Sequence, residues 1–150
     1  MGIFSPSDKE TVSIVDLTEG WLAVLSTDNK KAFIVDRPYS LIAIYQGKVH
    51  DITVPSGFLT DLASVPTVAN LFITPFGRHS PAAVFHDWCY EKAGGYHSKA
   101  FADALFFALL QWMHVSPVKA AVMYAAVKIG GRGNYQSPTQ SGPNQKKDAT

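Results

Sequence analysis

The chain has a single cysteine, Cys89, among its 150 residues. An internal disulfide framework is therefore excluded, and Cys89 is expected to be a small buried apolar residue. Charge is also scarce. Charged residues make up 17% against 47% hydrophobic ones, the balance of a chain that buries a core rather than one that stays disordered. The net charge is only +1, so the whole chain offers no strong field to nucleic acid or to anionic lipid, and no nucleic-acid partner is expected. No apolar stretch follows the polar opening Met1–Glu10, so it does not read as a secretory leader. Gly2 fails the myristoylation pattern because Pro6 stands where serine or threonine is required. The longest apolar run, Ala104 to Leu110, is too short to span a bilayer. These absences predict a protein kept in a cytosolic compartment unless other machinery exports it.

What remains is a strand-rich first half and a helical second half. Met1 to about Glu10 reads as a polar arm. Trp21–Leu25 and Lys31–Val35 are strand candidates separated by the turn residues Thr27–Lys30. Leu41–Tyr45 and Val49–Val54 form a second pair around Gln46-Gly47-Lys48, where Gly47 can take a positive φ. In Val49–Val54, His50, Ile52 and Val54 share one face, and Asp51 and Thr53 share the other. After Pro55 the pattern changes to a loop, Ser56–Pro66, leading into a short helix that must end before Pro75. Ser80-Pro81, Ser98 and Ser116-Pro117 then open three helices, as serine caps and first-turn prolines do. Gly94-Gly95 and Gly130-Gly131 close the first and third, and the second runs to about His114. The short connection makes the first two an antiparallel hairpin. The prediction is one α+β domain over residues 1–131: a small antiparallel sheet packed with a helical hairpin and a third helix. A tail of Gly, Ser, Pro, Gln, Asn and Lys follows over 132–150 and is expected to be disordered.

The residues that can carry chemistry lie on the hairpin. His86 and Asp87 sit inside the otherwise apolar segment Val84–Tyr90. His86 and Tyr90, four apart, share a helix face, whereas Asp87 points about 100° away from His86. Asp103 is the only charge between Lys99 and Lys119, and a carboxylate in such surroundings is costly unless paired. With the connection centred near Tyr96, His86 and Asp103 fall within about one helical turn of each other. A carboxylate beside an imidazole fixes its tautomer, which is the orienting half of a general-base dyad. A buried His–Asp pair that only satisfies two polar groups fits the same spacing. Asp87 is either a solvated helix residue or a cation ligand. In Thr60-Asp61-Leu62-Ala63-Ser64-Val65-Pro66, Asp61 and Ser64 either cap the short helix or bring Asp61 towards His86. His50, His79, His97 and His114 show no ligand spacing and read as surface or loop residues. Arg78, in Phe76-Gly77-Arg78-His79, is a weak candidate for an anion contact.

The loop Gly57–Pro66, the helix segment Ala82–Tyr90 and the pair Ala102-Asp103 together resemble a phage and prophage domain of unknown function, DUF1353, over about Pro55 to Gly131. That resemblance implies a tailed-phage or prophage origin and no particular activity. Locally, His86-Asp87-Trp88-Cys89-Tyr90 is similar to the His-Asp-x-Cys-Tyr helix of secreted phospholipases A2. By that resemblance His86 would activate water, Asp103 would orient His86, Tyr90 would hydrogen-bond Asp103, and Asp87 would bind calcium. Asp61, where its loop brings it towards the His86 helix, is a further candidate cation ligand on the loop reading alone. The calcium loop of those enzymes is absent here, and Cys89 has no disulfide partner. The His-Asp pair also resembles HD-type metal phosphohydrolases, whose upstream histidine has no counterpart in a helix here. Two functions are expected in consequence. One is a phospholipase-like ester hydrolase with a lipid or ester substrate and a divalent cation, calcium first. The other is a non-enzymatic virion or assembly component that meets other virion proteins. Either would reside in the host cytoplasm or the virion.

Overall fold

A computed structural model describes residues 4–18, 24–26, 33–60, 80–90 and 97–130. It is an α+β fold; among the described residues the strands form two antiparallel three-stranded sheets, and three helices follow. In the first sheet, β4 (Tyr39–Tyr45) lies between β1 (Val12–Leu17) and β5 (Lys48–Val54). In the second, β3 (Phe33–Val35) lies between β2 (Val24–Ser26) and β6 (Leu59–Thr60). The two expected hairpins are present, β2 with β3 and β4 with β5. Two strands were not anticipated: β1 adds to the β4–β5 hairpin and β6 to the β2–β3 hairpin. The polar opening contains one 3-10 turn, Asp8–Glu10.

Alternation builds the β4–β5 pair. Tyr39, Leu41 and Ala43 are buried on β4, and Ile52 and Val54 on β5. Leu41 faces Ile52 and Tyr39 faces Val54 across the ladder. The turn joining them uses Gln46 at φ 51° and Gly47 at φ 75°, two successive positive angles that match the twist of a two-residue hairpin. Beyond β5 the chain reverses at Gly57, φ 91°. There the Gly57 and Val35 backbone N–H groups donate to the Val35 and Phe58 carbonyls at 2.7 and 2.9 Å, which ties β6 to β3.

The helices begin where the sequence places them: α1 at Ser80–Tyr90, α2 at Lys99–Trp112 and α3 at Pro117–Gly130. The Ser98 hydroxyl accepts from the Phe101 backbone N–H at 3.0 Å and caps α2, and the Ser116 hydroxyl accepts from Lys119 N–H at 3.4 Å at the start of α3. At the far end of α2, His114 takes φ 60°, and Val115 N–H reaches back to the Leu110 carbonyl at 2.9 Å. That left-handed closure is one usually made by glycine.

Helix α2 is the centre of the molecule. It packs against β1, α1 and α3, while α1 also reaches β5. Phe101, Leu105, Phe106, Leu109 and Leu110 are all buried on it, as expected of a helix apolar nearly all round. Ala82 and Ala83 of α1 are fully buried. The expected short helix after Ser64, the end of α1 at Gly94-Gly95 and the tail 132–150 lie outside the described residues.

Candidate active site at the α1–α2 hairpin

The hairpin brings His86 and Asp103 together. His86 Nε2 lies 2.7 Å from Asp103 Oδ1, and the Tyr90 hydroxyl donates to the same oxygen at 2.6 Å. Tyr90 is one helical turn beyond His86, so both reach across the hairpin to one carboxylate. Their rings pack on each other at a 4.1 Å centroid distance, and Phe106 of α2 covers the imidazole from 5.0 Å.

The other carboxylate oxygen belongs to Lys99, whose ammonium donates to Asp103 Oδ2 at 2.5 Å. Lys99 Nζ also approaches the Lys128 and Val127 carbonyls at 3.2 and 3.5 Å, in the last turn of α3. One ammonium thus binds the core carboxylate and caps the negative end of a neighbouring helix. Lys99 was not singled out in the sequence. Its signal was the Lys-to-Asp spacing of four on one helix, which places two side chains on one face.

Charge on the network follows from these contacts. Burial pushes the Asp103 carboxyl up, but the hydrogen bonds from His86, Lys99 and Tyr90 outweigh it and hold Asp103 below the usual carboxylate range. For His86 the balance goes the other way. Burial lowers its pKa, the hydrogen bond and charge of Asp103 oppose this, and the Lys99 charge lowers it further. Lys99 already neutralises Asp103, so the imidazole stays neutral. An ionised carboxylate only accepts, so Nε2 carries the proton and Nδ1 carries a lone pair. That Nδ1 is buried and has no hydrogen-bond partner.

The remaining candidates divide. Asp87 is half-buried on α1. Asp61, with Ser64 and Arg78, lies outside the described residues, as does His79. Among the described residues no three His, Cys, Asp or Glu side chains come together to hold a metal ion. Cys89 is buried and free as expected, its thiol pushed up to about 12 by burial. His97 lies in the connection before α2, as a loop residue should, and His50 lies on β5; both are half-buried. Both stack on Phe101, at 4.6 and 5.1 Å.

A family model described as Protein of unknown function (DUF1353) matches residues 35–127. The chain belongs to the DUF1353 family. The matched stretch runs from the end of β3 into the last turn of α3 and contains His86, Tyr90, Lys99 and Asp103 of this DUF1353 domain. No curated protein and no solved structure matches the chain.

Proposed function

We propose that this DUF1353 domain is a phage or prophage hydrolase in which His86 is the general base and Asp103, held by Tyr90 and Lys99, positions it. The observation that carries this reading is the buried, unpartnered Nδ1 of His86. Leaving a buried polar atom unsatisfied costs about 1–3 kcal/mol. A purely structural residue gains nothing from that cost, because Nε2 alone makes the bond to Asp103. A base needs a lone pair kept free for an incoming O–H.

In the proposed reaction Nδ1 takes a proton from water while the water oxygen bonds to an ester carbonyl carbon. Asp103 stabilises the imidazolium that results. The same proton then passes to the leaving alkoxide as the carbon–oxygen bond breaks, and neutral His86 is restored. A phospholipid-type ester is the substrate class, on the strength of the local resemblance to phospholipases A2. Calcium, which that resemblance implies, takes six to eight oxygen ligands. Asp87 offers one carboxylate and Asp61 lies outside the described residues, so the described residues do not make up such a site.

A specific observation favours a second reading, a non-enzymatic virion or assembly component. His86 is only 1% exposed, and its network ties three helices together. Hydrolysis of phospholipid and simple ester substrates decides between them, with wild type compared against His86→Asn and Asp103→Asn. The hydrolase reading expects turnover in the wild type and a loss of orders of magnitude in both variants while helix content is kept. No turnover in the wild type, with or without divalent cations, gives the protein to the second reading.

A further inference from the structure

Lys99 stands at the wrong end of its helix for a cation. It is the first residue of α2, directly after the Ser98 cap, where the helix dipole disfavours positive charge. Its i,i+4 pairing with Asp103 also runs in the weaker order, with the base N-terminal to the acid. A lysine gives up much rotamer freedom to hold one geometry. The Lys99 side chain is 23% exposed, so water is within reach, against 5% for Asp103. On α2 alone, attraction to the Asp103 carboxylate works against all of these.

The support comes from α3. A helix leaves its last carbonyls without partners inside it, and Val127 and Lys128 fall in the last turn of α3. The ammonium that donates to Asp103 Oδ2 at 2.5 Å also lies 3.2 Å from the Lys128 carbonyl and 3.5 Å from that of Val127. It sits 5.7 Å from the centre of the Tyr90 ring. The negative end of α3 thus offsets the positive end of α2 around one ammonium. The turn that does this is weakly built. It closes on Gly130, with Gly131 next in the chain, and glycine is the poorest helix former after proline. Beyond the buried Val127, Ile129 is 57% exposed. Such helix ends open at low cost.

We propose that the last turn of α3 controls the His86–Asp103 pair through Lys99. While the turn is helical, its carbonyls hold the ammonium on Asp103. When the turn opens, the ammonium moves to water and the buried carboxylate loses its charge partner. Among the described residues hydrogen-bonded to Asp103, His86 is then the one that can supply a positive charge. A proton from solvent on Nδ1 supplies it and uses up the lone pair. Burial lowers the His86 pKa and the Lys99 charge lowers it further, which is the direction this switch requires. The coupling between α3 and the pair stands on the contacts of Lys99; its effect on turnover rests on the hydrolase reading.

The test follows two side chains by NMR in the full chain: the Lys99 ammonium, resolved while hydrogen bonds hold it from water, and the His86 ring nitrogens. Ile129→Pro opens the turn. Proline clashes with the Ala125 carbonyl, removes a helix hydrogen bond and drives Lys128 out of helical geometry. The expected result is loss of the Lys99 resonance and a shift of the His86 nitrogens towards the imidazolium. In Lys99→Met the His86 signals should already be shifted. Adding Ile129→Pro should then move them no further, because the two changes act along one path. Where Ile129→Pro does not fold, Ile129→Gly makes the same comparison by loosening the turn without a clash. Unmoved Lys99 and His86 signals in a variant whose last turn exchanges fast overturn the proposal. So does an effect of Ile129→Pro on His86 that persists in the Lys99→Met background. Ester turnover is read separately. An inactive wild type counts against the hydrolase reading and leaves the coupling to the NMR result. An active wild type should lose turnover in Ile129→Pro, and full turnover in that variant overturns the switch.

Discussion

Asp103 accepts from three donors on a carboxylate that is almost wholly buried. Asp103→Ala leaves His86, Tyr90 and Lys99 without their acceptor, so a loss of about 3 kcal/mol in denaturant-measured stability is expected. Asp103→Asn keeps the shape and should cost less. The pH dependence follows from the depressed values of both partners. His86 is held below its ordinary value of 6.5. As pH falls through that value the unfolded chain takes up a proton that the folded chain refuses, so stability drops until the folded pKa is reached. Asp103 is held below its ordinary 3.8, so its contribution is complete above that value and is lost as pH falls through the lower folded pKa. Stability curves from pH 8 to pH 2 should show two declines, and His86→Asn should remove only the upper one. Asp87→Asn tests the calcium reading at the same scale. If Asp87 is a ligand, calcium should raise the melting temperature of the wild type but not of the variant.

Between elements, Lys99 is the joint. Its ammonium connects the α2 carboxylate to the last carbonyls of α3, and its aliphatic stem can stay packed in Lys99→Met. That variant should cost about 1–2 kcal/mol. Hydrogen exchange should speed up in the last turn of α3 before it does in α1. The same change removes a positive charge that lowers the His86 pKa, so the imidazole titration followed by NMR should move upward. A titration that does not move would mean that Lys99 acts on α3 alone. Among the strands, β1 escaped sequence reading for a local reason. Its register slips between Ile14 and Asp16, leaving Val15 outward and 52% exposed. The inward positions therefore run Val12, Ile14, Leu17, and the bulge breaks the alternation by which a strand is recognised.

Over the whole molecule, the core is built around α2 with a sheet and two helices against it. Residues 136–150 contain no apolar periodicity and have little to bury. Their removal should leave the melting temperature within a degree or two, and a larger fall in calorimetry would mean that the segment docks on the domain.

The residues of this chain by themselves determined the helix starts, the two hairpins and the pairing of His86 with Asp103. Each rests on a local rule with a short reach: a serine cap, a glycine turn, or two positions counted back from one connection. Tertiary structure alone decided the rest. Pairing of β1 with β4 and of β6 with β3 depends on partners about 30 residues away, and neither strand carries an uninterrupted pattern of its own. The fate of each imidazole nitrogen was also illegible, because it depends on what lies against the ring from every side. Nε2 has Asp103 because the hairpin closes there, and Lys99 makes that carboxylate sufficient without a charged histidine. Nδ1 is left with a free lone pair because packing encloses it and supplies no donor, and the proposed chemistry depends on that atom.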